Sequence, residues 1–112
     1  MLDPTTMLPF SKARQIAEAW VSAVTEGQAE IVREAVEAKP YGWIFYYQSR
    51  EFLADRSNIS AALAGNAPFI VDRVNGEVRV PGTGPLREQR LREYEKSLPS
   101  AVWHTKPEIP QW

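Results

Sequence analysis

The chain contains no cysteine. Disulfides and thiolate metal ligands are therefore excluded, and a reducing compartment fits. It contains one histidine, His104. A multi-His metal site cannot form within a single chain on that basis. Neither sign of charge dominates, because 13 Lys and Arg stand against 14 Asp and Glu, for a net charge of −1. The sum gives no reason to expect nucleic acid or an anionic membrane as partner. Long apolar runs are missing too. No segment approaches about 18 uninterrupted apolar residues, so no membrane-spanning helix is expected. The opening Met1-Leu2-Asp3-Pro4 has an acid where a signal peptide needs bases. Together these absences point to the cytoplasm.

The chain is rich in aromatics. Tyr41-Gly42-Trp43-Ile44-Phe45-Tyr46-Tyr47-Gln48-Ser49 is its densest apolar stretch. Every residue from Trp43 to Tyr47 is aromatic or β-branched, which suits a strand. The two-residue period puts Trp43, Phe45 and Tyr47 on one face and Ile44, Tyr46 and Gln48 on the other. A strand apolar on both faces belongs in the middle of a sheet. With 112 residues, one domain is the default, burying roughly 65% of its unfolded surface.

Residues 1–10, with Pro4 and Pro9, read as a leader. Ser11 is the expected N-cap of a helix over about 12–25. Its apolar stripe is Ala13, Ile16, Ala17, Trp20, Val21 and Val24, and Gly27 closes it. Residues 30–38 fit a strand by β-branched content and a short helix by the Val32–Val36 spacing; the strand is the preferred reading. Lys39-Pro40-Tyr41-Gly42 then turns into the aromatic strand as an antiparallel hairpin. Arg50–Leu63 reads as a connecting loop with a helical turn near 58–63. Ala64-Gly65-Asn66-Ala67-Pro68 resets the chain. Phe69–Asp72 is the third strand, Asn75-Gly76 a hairpin signal, and Val78–Val80 the fourth strand. Thr83 or Gly84 is the expected N-cap, and Pro85 the first turn, of a helix over about 85–97. Residues 99–112 form a Pro- and Trp-containing tail.

Candidate chemistry is sparse. His104 lies in the Pro-rich tail, where a solvated or structural role fits better than catalysis. Glu51, Asp55 and Asp72 sit where strands end or turn, and their spacing does not demand acid–base work. Turn caps and surface ion pairs explain them. Gly82-Thr83-Gly84-Pro85 lacks the Lys-Ser/Thr of a phosphate loop. Arg87, Arg90 and Arg92 are interleaved with Glu88, Glu93 and Glu95, as on a solvated helix face. Tyr41, Tyr46 and Tyr47 lack the basic surround that base stacking needs, so core packing is preferred. No catalytic residue, cofactor or metal is expected.

Three pieces read together carry a resemblance. They are Tyr41–Ser49, Leu63–Asp72 with its Ala-Gly-Asn-Ala-Pro, and Gly82-Thr83. In this order and spacing the chain resembles the immunity protein 35 family over roughly residues 11–96. The resemblance implies an α+β domain from a polymorphic toxin locus, protecting its cell by binding a cognate protein toxin without catalysis. A chaperone-like role is also known in that family. Two rivals follow: a chaperone-like binder of unfolded chains, which needs a broad apolar patch, and a small enzyme, which needs a deep pocket with perturbed carboxylates.

The expected architecture is α+β, an antiparallel four-stranded sheet with the N-terminal helix on one face and a C-terminal helix at an edge or end. The domain spans 11–98. Trp20 is expected near Phe45, Val71 and Val80. The other sheet face is expected to stay uncovered and to bind the partner through Ile44, Tyr46, Gln48, Ile70, Asp72, Glu77 and Arg79, with Tyr46 as anchor. Two alternatives stand beside this: an ordinary half-solvated face, or the Trp103–Trp112 tail folded over Tyr46.

Overall fold

A computed structural model describes residues 7–62, 68–81 and 87–112 of the chain. The architecture is α+β. Helix α1 spans Phe10–Thr25, and buries Phe10, Ala13, Ala17 and Val21 at the three-and-four spacing of one stripe. It begins two residues earlier than expected. Pro9 takes the N-cap position without a side-chain cap, so Ser11 is not the cap. Glu26 and Gly27 both turn into the left-handed region at the far end, with φ 55° and 76°.

The aromatic run folds as two strands, β3 (Gly42–Phe45) and β4 (Tyr47–Ser49), separated at Tyr46. The preceding arm divides as well, into β1 (Ala29–Ile31) and β2 (Glu37–Lys39) around a 3-10 turn at Arg33–Ala35. Thus the single strand preferred over 30–38 is two short strands, with three residues of 3-10 turn between them in place of the alternative short helix. Register explains the break. Ile31 faces Tyr47 and Glu37 faces Ile44. Five residues on one arm must match two on the other, and the surplus coils into the 3-10 turn. Val32 N–H still donates to Tyr46 O at 2.8 Å, so the two halves remain one bent hairpin.

Strands β5 (Phe69–Asp72) and β6 (Val78–Arg79) complete an antiparallel sheet in the order β2-β3-β5-β6, beside the two-stranded β1-β4 pair. Gly42 pairs with Asp72 in this sheet. Its φ is 153°, and a Cβ there would lie 2.1 Å from the Val71 carbonyl oxygen, so only glycine fits. The Asn-Gly signal marks the β5–β6 turn correctly. The loop is wider than a two-residue hairpin, with Asp72 N–H donating to Glu77 O at 3.0 Å. Only Gly76 within it has positive φ.

Helix α2 (Arg50–Ala54) was not foreseen. Its N-cap is Ser49, whose hydroxyl accepts from Phe52 N–H at 3.3 Å. A 3-10 turn follows at Ile59–Ala61, within the turn expected near 58–63. Helix α3 is described over Arg87–Ser97, and α4 over Ser100–Trp103. The Ala-Gly-Asn-Ala segment and the expected helix start at Gly82–Pro85 lie outside the described residues.

The inner face packs against α1. The rings of Trp112, Phe10, Phe45, Phe69, Trp20 and Tyr47 form a continuous series with centroid separations of 5.3, 6.1, 5.4, 4.4 and 5.9 Å. Such pairs add about 0.5–1.5 kcal/mol each beyond the area they bury. Ala13 and Ala17 supply little volume, so the helix can sit close on a sheet of large rings. Trp20 packs against the cluster that holds Phe45 and Val71, as expected, and its ring pairs with Phe69 and Tyr47. Val80 is 49% exposed and lies outside the core.

Candidate functional site

The face opposite α1 is covered, which corrects the expectation of an open sheet. A second core joins Tyr41, Ile44, Ile70 and Val102, with Tyr46, Leu91, Tyr94 and Leu98 packed around them. Leu91, Tyr94 and Leu98 follow the helical spacing, so one side of α3 has just enough apolar surface to seat it. The seat is reinforced by hydrogen bonds. Tyr94 hydroxyl donates to Asp72 Oδ2 at 3.0 Å and Tyr41 hydroxyl to Glu95 Oε2 at 2.8 Å. Burial, and then the neighbouring carboxylates, push both phenols well above the ordinary tyrosine value.

The seven residues expected to bind a partner are divided by this packing. Ile44, Ile70 and Asp72 are buried, at 4%, 1% and 6% exposure. Asp72 is fully engaged, since its Oδ1 also accepts from Val74 N–H at 2.7 Å. Glu77 and Arg79 are exposed at the same end and pair with each other at 2.7 Å. The Arg79 guanidinium lies 5.4 Å from the Tyr94 ring centre. At the other end, Tyr46 and Gln48 are partly buried. Tyr46 hydroxyl donates to Glu37 Oε2 at 2.9 Å.

Between that end of the sheet and α3 lies a cleft of about 320 Å³. Buried Ile44 and Ile70 contribute its floor, together with Leu91. Tyr46, Pro68 and Pro81 line it as well, and the charged residues at its margin are Glu37, Glu88 and Arg92. Tyr46 and Pro68 also line a second hollow of about 360 Å³, with Val32, Phe52 and Leu53. Of the expected site, then, Ile44, Tyr46 and Ile70 meet in one cleft, whereas Asp72 and Arg79 line a smaller hollow of about 240 Å³ at the other end, with Glu77 paired to Arg79. Sequence reading missed Glu37 and Glu88. Alternation hints at the former, which lies directly across from Ile44. Nothing in the sequence indicates the latter.

The tail does not fold over Tyr46. Trp103 packs edge-on to Tyr41 at 5.9 Å. The chain then rounds the sheet end and reaches α1. Arg73 Nη1 donates to Lys106 O at 2.9 Å, and Trp43 Nε1 to Glu108 O at 2.8 Å. The Glu108 carboxylate accepts from Phe10 N–H, supplying from far along the chain the cap that α1 lacks. Trp112 ends against Phe10, with the guanidinium groups of Arg14 and Arg33 at 4.9 and 5.1 Å from its ring centre.

The carboxylates weighed for acid–base chemistry do not converge. Asp72 is level with Gly42 on the sheet, while Glu51 and Asp55 follow β4 beyond the Tyr46 bend. Hydrogen bonds from the Ser57 hydroxyl and backbone hold Asp55 below the ordinary carboxylate value. His104 is exposed. Among the described residues no three His, Cys, Asp or Glu side chains gather to hold a metal ion, and no helix is long and apolar enough to cross a membrane.

Comparison with known proteins gives a consistent result. An uncharacterised protein of Escherichia coli K12, YrhB, is 46% identical over 54 residues, which is 48% of this chain and 56% of that protein. The chain thus spans little more than half the length of the curated relative it matches. No solved structure matches it. The model of the family described as Immunity protein 35 matches residues 11–97, most of the chain, and the protein belongs to that family.

Proposed function

We propose that this protein is a non-enzymatic immunity protein that binds and neutralises a cognate bacterial toxin in the cytoplasm of the producing cell. The observation that carries the reading is the family match over residues 11–97, which supports an immunity role in general. The toxin is the finer step. A surface with an apolar floor and a charged margin suits recognition of a protein partner, and the cleft beside Tyr46 has that composition. The residues put forward for contact remain Ile44, Tyr46, Gln48, Ile70, Asp72, Glu77 and Arg79. Tyr46 and Gln48 are the accessible members at the cleft end. Glu77 and Arg79 are the accessible members at the other, and the three buried residues support both.

The test is co-expression with candidate toxins encoded by neighbouring genes. The protein should rescue growth and co-purify with the toxin. Tyr46→Ala should weaken the complex by about 2 kcal/mol or more if Tyr46 is an anchor. Arg79→Glu should alter the association rate and its salt dependence. Failure of the parent protein to rescue or bind would overturn the reading.

A further inference from the structure

The cleft beside Tyr46 combines an apolar floor with carboxylates at its mouth. We propose that it is the subsite for one basic side chain, arginine or lysine, inserted by the protein partner. The proposal rests on the reading of this chain as a toxin-binding protein and names the chemistry of what that partner inserts.

Ile44 and Ile70 are buried beneath the cleft, and Leu91 adds to the floor from α3. Such a surface suits the aliphatic stem of a long cationic side chain, which prefers apolar contact along its length and polar contact at its tip. Exposed Glu37 and Glu88 flank the opening on β2 and α3. Arg92 is the third charged group there. Among the described residues, two carboxylates stand against one guanidinium at the mouth, a balance complementary to a cation. Glu37 is also held in position, since its Oε2 accepts from Tyr46 hydroxyl at 2.9 Å. An ionised carboxylate has about four lone-pair sites, so that bond leaves room for a second donor. The Tyr46 ring lines the same space, and an aromatic ring adds attraction for a cation when its face is presented. Size agrees, because about 320 Å³ admits a side chain and not a folded element.

The experiment uses three small probes and needs no toxin. N-acetyl-arginine amide, N-acetyl-leucine amide and N-acetyl-glutamate amide are titrated separately into the isotope-labelled full chain and followed by NMR. The arginine compound should give saturable shifts centred on Glu37, Ile44, Tyr46 and Ile70, with a Kd on the order of millimolar. The leucine and glutamate compounds should not saturate there. Added salt should weaken the arginine interaction, and the double variant Glu37→Gln/Glu88→Gln should weaken it about fivefold or more. Arg92→Ala should leave it equal or tighter. Equal binding of all three probes, preference for leucine or glutamate, or an unchanged Kd in the double variant would overturn the subsite. If the double variant loses its fold, Glu88→Gln alone, on the exposed side of α3, serves the same comparison. Toxin binding without arginine binding rejects the subsite and keeps the immunity reading. Arginine binding by a chain that neutralises no toxin does the reverse.

Discussion

Helix α1 meets the inner sheet face through Phe10, Ala13, Ala17 and Val21, all buried. Helix α3 meets the outer face through Leu91 and Tyr94, which are partly buried. The inner contact is a dry seam of small helix residues and large sheet rings, and its stability comes from area removed from water. The outer contact has less area and depends more on Tyr94–Asp72 and Tyr41–Glu95. Hydrogen bonds of this kind contribute about 0.5–1.5 kcal/mol each when net of water, and more when one partner is charged. A helix held that way leaves the outer contact open at two places, the cleft beside Tyr46 and a smaller hollow beside Asp72. One sheet thus has one closely packed face and one that is less completely covered.

Substitutions at the β3–β5 pairing and on the inner face should cost most. Gly42→Ala should destabilise by about 4 kcal/mol or more, because the new methyl meets the Val71 backbone and no rotamer relieves it. A urea melt with a loss under about 1 kcal/mol would show that β3 and β5 can separate cheaply. Next comes Phe69→Ala, expected to cost about 3–5 kcal/mol from the centre of the ring series. Trp20→Ala should cost roughly 2 kcal/mol, since Trp20 is only partly buried. Equal losses for the two would mean that the ring series is as tightly packed at its rim as at its middle.

On the outer side, Tyr94→Phe should cost about 1–3 kcal/mol by leaving buried Asp72 Oδ2 without its phenol donor. Hydrogen exchange should quicken in α3 and not in α1. Equal quickening in both helices would erase the distinction between the faces. Glu108→Ala should cost about 1 kcal/mol, the usual value of a lost N-cap, and should fray the first turn of α1. Unchanged exchange at Phe10–Ala13 would mean that the tail's carboxylate does not stabilise that helix end.

The smallest effect concerns pH. Tyr41 and Tyr94 ionise at about 10 when unfolded and higher when folded, because burial and carboxylate neighbours oppose the phenolate. Their contribution to stability is therefore complete below pH about 10 and is lost as pH rises through the folded values. Urea midpoints should fall from pH 9 to pH 10.5. The double variant Tyr41→Phe/Tyr94→Phe should flatten that fall. An identical slope in parent and variant would remove these two groups from the alkaline loss.

How far the sequence reached can be judged from particular residues. Trp43 and Phe45 were assigned to one face by alternation, and both lie in the core cluster that packs against α1. The α1 stripe was legible at Ala13, Ala17 and Val21, which repeat at the helical period, although Val24, expected in it, is 53% exposed near the helix end; Phe69–Asp72 was bounded correctly by its composition. The paired breaks at Tyr46 and at Arg33–Ala35 were not legible as a pair, because register depends on two segments at once. Helix α2 was missed because five residues give too short a window for periodicity. For the candidate site, Ile44, Tyr46 and Ile70 were correctly placed on one face, and that face was wrongly left open. The narrow stripe of α3 concealed how much two tyrosine–carboxylate bonds add to its attachment.

The sequence by itself determined the family, the α+β class and the residues of each sheet face. Those follow from local spacing, composition and motif order, which are properties of neighbouring residues. Only the tertiary structure decided that α3 covers the outer face, that Glu37 and Glu88 share a cleft, and that Glu108 caps a helix ninety-eight residues away. These depend on how separate segments cross in space. A carboxylate carries no local mark of the distant group it will meet.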